Sequence, residues 1–279
     1  MSMVQMPPFP FIKMHGAEND YVFFDGFTGV LPPDPVSLAR EICTRHAHVG
    51  ADGIIYMIPP PDDSCDVEMH IWNADGSVAQ MCGNGARCIA VWMKREGRIQ
   101  DVCRISAGMR VITARNIMDG VRFGSAMVEM GSPHLVTSDC GRMIELDDLT
   151  KFTVHCVHLG NPHAVVFVDE LSDQLVRTAG PQIEHHPGLP ERTNVEFTVF
   201  RNDQELEVRV WERGSGETRS CGSGACAVVA AATHTDLITG NRPCRVVLPG
   251  GPLEVLWKDD GQIQLSGPVE IAFTGILSG

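Results

Sequence analysis

One short motif, Cys-Gly-x-Gly-Ala, occurs twice in the chain. The segment Ile71–Ala86 aligns without gaps with Val210–Ala225, which lies 139 residues further along. The identical pairs are Trp72 and Trp211, Cys82 and Cys221, Gly83 and Gly222, Gly85 and Gly224, and Ala86 and Ala225. After each motif, apolar residues recur at helical spacing. The repetition indicates two homologous half-domains, each built as a strand, a loop, the motif and a helix.

A glycine pair at the start of a helix predicts a particular chemistry. Without side chains, the backbone can approach a ligand closely, and the free N–H groups of the first turn favour negative charge. A cysteine at this position is expected to gain thiolate character, because the helix N-terminus stabilises its charged form. Two such motifs acting on one small molecule suit the removal of a proton from one face of a carbon and its return to the other. One cysteine then acts as thiolate and the other as thiol.

Several further segments occur in an order that resembles the diaminopimelate epimerases almost from end to end. These segments are Met14–Tyr21, Val49–Gly53, Trp72–Ser77, Met81–Cys88, Gly160–His163, Arg192–Phe197 and Trp211–Cys226. The resemblance implies a cofactor-free isomerase that interconverts LL- and meso-diaminopimelate. It also places the enzyme in the synthesis of lysine and peptidoglycan precursors.

The resemblance also implies roles for individual residues. Cys82 and Cys221 are the expected acid–base pair, with His163 as the partner of Cys82 and Glu212 as the partner of Cys221. The residues expected to bind the substrate are Asn19, Asn73, Gly83, Asn84, Asn161, Asn194, Glu212, Arg213, Gly222 and Ser223. These residue types suit an amino acid, because arginine binds carboxylates in a forked geometry and the oxygens of Asn and Glu accept from ammonium groups.

Three positions depart from the family pattern. Gly53 stands where some members have a Gln that faces the substrate. In this chain, the contact of that Gln with the substrate would be made by backbone or water instead. Glu18 replaces a small residue just before Asn19, and His134 stands where an aromatic residue is common. None of these positions involves the cysteine pair.

Composition excludes several other classes of protein. The chain has 279 residues, 43% of them hydrophobic, and a net charge of −13, which disfavours nucleic-acid binding. No apolar run is long enough for a membrane helix, and residues 1–13 lack the pattern of a secretory signal. The ten cysteines include no C-x-x-C pair, which argues against a disulfide framework or a zinc site. We therefore expect a cytoplasmic protein with no metal and no cofactor.

The elements needed to position these residues are mostly strands joined by tight turns. We predict an α+β fold of two pseudo-symmetric domains, in which mostly antiparallel strands wrap around a central helix and the active site lies in the interdomain cleft. Outside the motif helices, helical segments are predicted over Pro35–His46 and Leu171–Ala179. The first domain is expected over residues 1–127 and the second over residues 128–265. A return of about residues 266–279 to the first domain is implied by the resemblance.

Two other functions remain open at this point. A racemase of the proline or hydroxyproline type shares the two Cys-Gly motifs, but Asn84 and the pair Glu212–Arg213 count against it. A thiol redox protein is the alternative from another class, and the polar residue set counts against that. The expected partner is a small amino-acid substrate, with neither nucleic acid nor membrane, and a homodimer is the assembly left open.

Overall fold

The chain forms two compact units. A computed structural model describes residues 8–278, except residues 80, 109, 148 and 190. One unit runs up to Val128 and includes the residues from Gly267 on, and the other runs from Glu129 to Ser266. Residues 1–7, within the segment where we expect no secretory signal, lie outside the described residues. In the described part, no helix is long and apolar enough to cross a membrane.

The first unit contains two longer helices among its strands. Its elements are β1 (Phe9–Gly16), β2 (Asn19–Asp25), α1 (Pro35–Ile42), β3 (Gly53–Ile58), β4 (Val67–Asn73), β5 (Val78–Ala79), α2 (Gly83–Arg95), β6 (Cys103–Ala107), β7 (Arg110–Met118) and most of β8 (Phe123–Gly131). The later part of the long final strand, β17 (Ile263–Leu277), pairs antiparallel with β1.

The second unit repeats this order of elements. They are β9 (His134–Glu145), β10 (Lys151–His158), β11 (Pro162–Phe167), α3 (Asp173–Glu184), β12 (Asn194–Asn202), β13 (Glu205–Glu212), β14 (Gly216–Thr218), α4 (Gly222–His234), β15 (Cys244–Leu248) and β16 (Gly251–Trp257). The first part of β17 pairs antiparallel with β16.

Strand pairing is mostly antiparallel in both units. The parallel pairs are β2–β3 and β4–β6 in the first unit, and β11–β12 and β13–β15 in the second. Hairpin turns lie at Gly250–Gly251 and Asp260–Gly261, where β15 pairs with β16 and β16 with β17. The predicted α+β fold class is confirmed.

Each motif helix forms the centre of its unit. In α4 every residue from Ala225 to Ala232 is buried, which is the pattern of a helix enclosed on all sides. It contacts β10, β11, β12, β15 and β16. In the first unit α2 contacts β1, β6 and β7, and it ends at Lys94–Arg95, where basic side chains suit the helix dipole.

The other face of the second unit's sheet is covered by α3. Val166, Val195 and Phe197 pack in one apolar cluster with Val176 and Ile183 of that helix. Because side chains alternate along a strand, the intervening residues of β11 and β12 point to the opposite face, towards α4. This alternation decides which residues of the second unit can reach Cys221.

Two predicted helices have different bounds in the structure. The helix predicted over Pro35–His46 ends at Ile42. Gly50 N–H donates to the Ile42 carbonyl and Ala51 N–H to the Cys43 carbonyl, so other segments bind the carbonyls at the end of the helix. His46 has a positive φ of 71°, which a helix does not allow. The helix predicted over Leu171–Ala179 begins at Asp173, after the N-cap Ser172, and continues to Glu184.

The second of these helices continues through Pro181, beyond its predicted end at Ala179. The additional turn buries Ile183 in the apolar cluster and Glu184 beneath the Trp211 indole, whose Nε1 donates to it at 2.8 Å. These contacts offset the hydrogen bond that a proline removes from a helix.

Strands β1, β6 and β9 were not predicted. In β1 the residues from Phe11 to Met14 are all buried, so the alternation that reveals a half-exposed strand is missing.

Candidate active site

Both motif cysteines are N-cap residues. Cys82 caps α2 and accepts a hydrogen bond from Gly85 N–H at 3.3 Å, while Cys221 caps α4 and accepts from Gly224 N–H at 3.3 Å. Each cysteine has extended backbone dihedrals and each Sγ lies over the first turn of its helix. The motif therefore aims each thiol at the positive end of a helix, as its glycines predicted.

In the first unit, Cys82 lies against an asparagine that the sequence analysis had selected. Its Sγ donates to Asn19 Oδ1 at 3.4 Å, and Asn84 Nδ2 donates to the same oxygen at 3.1 Å. Asn19 Nδ2 in turn donates to Asp52 Oδ2 at 2.9 Å. An ionised carboxylate can accept hydrogen bonds but cannot donate them. Asp52 therefore binds the Nδ2 group of Asn19, which leaves the amide oxygen facing the thiol.

Asp52 belongs to a charged network that the sequence analysis missed. Arg45 Nη2 donates both to Asp52 Oδ1 at 2.8 Å and to Asp20 Oδ1 at 2.5 Å, and the buried Lys13 forms an ion pair with Asp20. Burial by itself raises the pKa of Asp20, but the hydrogen bonds and charges of Arg45 and Lys13 outweigh it and lower that pKa. Asp52 lies in the segment Val49–Gly53, one of those that resemble the family. Its place in that segment was the sequence signal that could have identified it as a site residue.

In the second unit, a chain of short contacts leads from Cys221 to a buried carboxylate. Cys221 Sγ lies 3.5 Å from Ser223 Oγ, and Asn161 Nδ2 donates to Ser223 Oγ at 3.3 Å. Asn161 Oδ1 lies 3.0 Å from His163 Nε2, and His163 Nδ1 lies 2.7 Å from Glu196 Oε1. Glu196 was not among the predicted site residues, although it stands in the quoted segment Arg192–Phe197.

The neighbours of Cys221 oppose the thiolate character that a helix N-terminus favours. Burial raises the pKa of this thiol well above its usual value, and the negative charges of Glu212 and Glu196 raise it further. The hydrogen bonds from Ser223 and Gly224 N–H act in the opposite direction but are weaker. These surroundings therefore favour the thiol form of Cys221.

Asn194, the first residue of β12, is hydrogen-bonded to Arg213, which begins the loop after β13. Asn194 Nδ2 donates to the Pro162 carbonyl at 2.9 Å, and its Oδ1 accepts from Arg213 N–H at 3.0 Å. Glu184 holds the same loop through Gly214 N–H at 2.9 Å. Asn194 thus positions the loop that carries Glu212 and Arg213, and the Arg213 side chain is exposed.

The remaining predicted residues occupy varied positions. Asn73 ends β4 and donates to Ser77 Oγ at 3.0 Å, while Gly83 and Gly222 are the buried first residues of their helices. A side chain at Gly53 would overlap the carbonyl oxygen of Trp72, so this chain has no room for one. His134 is the first residue of β9 and pairs with His158 of β10.

The described residues include no group of three or more His, Cys, Asp or Glu side chains placed to hold a metal ion. The side chains gathered around each cysteine are instead hydrogen-bonded to one another, as the two chains of contacts above show.

Comparison with known proteins identifies relatives along nearly the whole chain. The family model described as diaminopimelate epimerase matches residues 11–136 and 155–272. A diaminopimelate epimerase of Desulforudis audaxviator is 40% identical over 277 residues, which covers 95% of this chain and 98% of the relative. One from Halothermothrix orenii is 38% identical over 278 residues, which covers 95% of this chain and 96% of that relative.

Solved structures of more distant proteins share the fold. A hydroxyproline epimerase from Agrobacterium vitis has a TM-score of 0.75 at 14% identity, covering 99% of this chain and 93% of that one. A predicted epimerase from Pseudomonas aeruginosa has a TM-score of 0.73 at 14% identity, covering 96% of this chain and 99% of that one. The fold alone does not separate these proteins, whereas the family model and the closer relatives do. The chain belongs to the diaminopimelate epimerase family.

Proposed function

We propose that this protein is an isomerase that interconverts LL- and meso-diaminopimelate through Cys82 and Cys221, in the synthesis of lysine and peptidoglycan precursors. The observation that carries the proposal is the duplicated thiol: in each unit, a cysteine caps a buried helix beside an asparagine-containing hydrogen-bond chain. The names of relatives at about 40% identity supply the substrate.

The reaction proceeds by two proton transfers at one carbon. A thiolate removes the α-proton, so that the C–H bond breaks and an S–H bond forms. The other thiol protonates the opposite face, so that its S–H bond breaks and a new C–H bond forms. The mechanism therefore requires both sulfur atoms to reach the same α-carbon.

A group that takes a thiol proton is also needed. Cys82 donates to Asn19, and the raised pKa of Cys221 keeps that thiol protonated. We assign proton removal to His163 for Cys82 and to Glu212 for Cys221. The Coulombic effect of Glu212 on the pKa of Cys221 supports the second assignment.

We further propose that backbone N–H groups of the helix starts bind the reacting carboxylate, with Gly83 and Asn84 at one helix and Gly222 and Ser223 at the other. A set of polar residues binds the rest of the substrate. It consists of Asn19, Asn73, Asn161, Asn194, Glu212 and Arg213. Because the amide of Asn194 already binds backbone at both ends, its contribution is to place the loop that carries Arg213.

The enzyme needs no cofactor in this mechanism, since the thiols supply both the base and the acid. We place it in the cytoplasm, where its cysteines stay reduced. The assembly to test is a homodimer, by light scattering of the full chain. The mass of a single chain would exclude it.

The test is proton NMR of LL-diaminopimelate in D₂O with the reduced protein. We expect loss of one α-proton signal with appearance of the meso isomer, and loss of this activity in Cys82→Ser and in Cys221→Ser. Matched controls are Cys88→Ala and Cys226→Ala, which change buried cysteines of the same two helices. Exchange of proline without any action on diaminopimelate would replace the proposal with a proline-type racemase. Silence with a whole panel of amino acids would favour the thiol redox protein.

A further inference from the structure

The two units provide an internal comparison at the level of single strand positions. Tyr21 pairs with Gly53 in β2–β3, and His163 pairs with Asn194 in β11–β12. Two positions further on, the second strand of each pair has Ile55 in the first unit and Glu196 in the second. The pair Tyr21 and Ile55 therefore corresponds to the pair His163 and Glu196.

The second unit thus buries an ionisable pair where the first unit has none. The His163 and Glu196 side chains have no exposed surface. Burying charged or polar groups costs free energy unless they are satisfied, and the same position in the first unit is occupied by an isoleucine. Packing alone therefore does not require Glu196.

We propose that Glu196 is a positioning residue that keeps a proton on Nδ1 of His163 and so confines proton exchange of this imidazole to Nε2. The proposal deepens the proposed function, on which its catalytic consequence rests. It stands on the 2.7 Å contact between Glu196 Oε1 and His163 Nδ1 and on the enclosure of both side chains.

Proton accounting supports this assignment. A contact of 2.7 Å between Nδ1 and Oε1 must contain one proton, since both atoms are otherwise acceptors. On the other side of the ring, Asn161 Oδ1 at 3.0 Å is also an acceptor and by itself would favour a proton on Nε2. The charged carboxylate of Glu196 is the stronger acceptor, so it holds the proton of the neutral ring on Nδ1. When Nε2 takes a proton from a thiol, the S–H bond breaks and an N–H bond forms, while the proton on Nδ1 stays in place. Glu196 supplies the negative charge that the resulting imidazolium needs.

The second glycine of the motif makes this arrangement possible. A Cβ atom at Gly224 would lie 2.7 Å from Glu196 Oε1 and 3.3 Å from Cys221 Sγ. The carboxylate therefore sits directly against the first turn of α4, beside the thiol. At the equivalent Gly85, the nearest atom is Cδ1 of Ile55.

Among the described residues, the carboxylate of Glu196 has its hydrogen bond with His163. Its Oε2 is buried without a hydrogen-bond partner among the described residues. The residues opposite the pair on neighbouring strands are apolar, Val157 on β10 and Val210 on β13. The titratable group at the start of α4 is Cys221, on which Glu212 also acts, and His155 faces α4 further along β10.

The test is nitrogen-15 NMR of histidine-labelled protein, with the His163 signals assigned by their loss in His163→Asn. Above its titration midpoint, wild-type His163 is expected to carry its proton on Nδ1. In Glu196→Gln the neutral ring should carry its proton on Nε2 instead, because the amide can donate to Nδ1 while Asn161 Oδ1 accepts from Nε2. The control Glu184→Gln changes a buried carboxylate at the C-terminal end of α3 and should leave the proton of His163 on Nδ1. A neutral wild-type imidazole protonated on Nε2, or a proton that stays on Nδ1 in Glu196→Gln, would overturn the proposal.

Kinetics provide a second readout. In Glu196→Gln kcat should fall about tenfold or more, because a proton on Nε2 prevents this nitrogen from acting as a base, while Glu196→Asp, which keeps the carboxylate, should retain more of the activity. A purely structural role would lower kcat in the two variants without moving the proton from Nδ1 to Nε2 in Glu196→Gln. If diaminopimelate is not turned over at all, the proposed function fails, while the NMR result still decides the role of Glu196.

A double variant separates folding from positioning. His163→Tyr with Glu196→Ile installs the pair of the first unit, and we expect it to fold with an unfolding midpoint close to that of the wild type but without epimerase activity. Failure of this variant to fold would show that the pair serves packing and would contradict the argument.

Discussion

Cys82 and Cys221 share one motif but have different neighbours. Cys82 donates to the amide oxygen of Asn19, whose orientation depends on Asp52. Cys221 is buried beside two carboxylates, which favours its thiol form. A helix N-terminus alone would favour the thiolate in both cases, so the immediate neighbours decide the protonation of each thiol.

At the same scale, Gly224→Ala should damage the protein more than Gly85→Ala. The new Cβ atom would press on Glu196 Oε1, which His163 holds in place, whereas at Gly85 it would meet the terminal methyl of Ile55. We expect a loss of about 1–3 kcal/mol in the free energy of unfolding for Gly224→Ala, because overpacking forces side chains to shift. For Gly85→Ala, the gain in helix propensity should offset most of the strain. Urea unfolding measures both variants, and equal losses would contradict the prediction.

Among the elements, the turn between β1 and β2 has an unusual sequence for its conformation. Gly16 pairs with Asn19, and the two residues between them, Ala17 and Glu18, have φ values of 53° and 60°. A two-residue hairpin turn with both φ values positive favours Asn-Gly, because other L residues are strained there. The strain lies directly before Asn19, the contact of Cys82.

We therefore predict that Glu18→Gly stabilises the protein by about 1 kcal/mol, through relief of the left-handed backbone. Thermal and urea unfolding measure the change. Glu18→Ala is the matched control, since it removes the side chain but keeps the strain. A stabilisation by Glu18→Ala equal to that by Glu18→Gly would assign the effect to the side chain instead.

Strand β10 contains a histidine that links stability to pH. His155 is buried against the Phe167 ring, and its Nδ1 has no hydrogen-bond partner among the described residues. Burial lowers the pKa of His155 below its ordinary value of 6.5, and the charge of His234 lowers it further. Because the unfolded chain binds this proton more readily, stability is full above pH 6.5 and falls as the pH drops below that value.

His155→Phe should remove this acid sensitivity. The free energy of unfolding of the variant should fall less than that of the wild type between about pH 7.5 and about pH 5.5, because its phenyl ring does not titrate. Chemical denaturation at each pH measures the difference. The exposed His48, changed to Gln, is the control and should leave the wild-type slope unchanged. A slope in His155→Phe as steep as that of the wild type would contradict this account.

At the scale of the whole molecule, the net charge of −13 has little consequence for the proposed substrate. Diaminopimelate carries two ammonium and two carboxylate groups, so its net charge is zero. Long-range fields act on net charge and are screened by salt, so we expect KM to change less than about twofold between about 0.02 M and about 0.5 M salt. Initial rates across this range measure it. A steep dependence on salt would mean that the molecule bound in the rate-determining complex carries net charge.

Local patterns in the sequence predicted much of the fold. The motif helices α2 and α4 follow from glycine spacing and apolar periodicity, and β4 and β13 from alternation of apolar residues. These features depend on residues a few positions apart. Where burial overrides the local pattern, prediction failed: β1 is buried on both faces, and α3 continues through Pro181 because Ile183 and Glu184 find partners in the tertiary structure.

The sequence by itself determined the duplicated architecture, the family and the two thiols, because each is written in the order and spacing of residues along the chain. Only the tertiary structure showed the two further carboxylates, Asp52 and Glu196, that contact the neighbours of those thiols. Asp52 reaches Asn19 across 33 residues, and Glu196 reaches His163 across the same separation. Such contacts arise where parallel strands bring distant segments side by side, and no local periodicity encodes them.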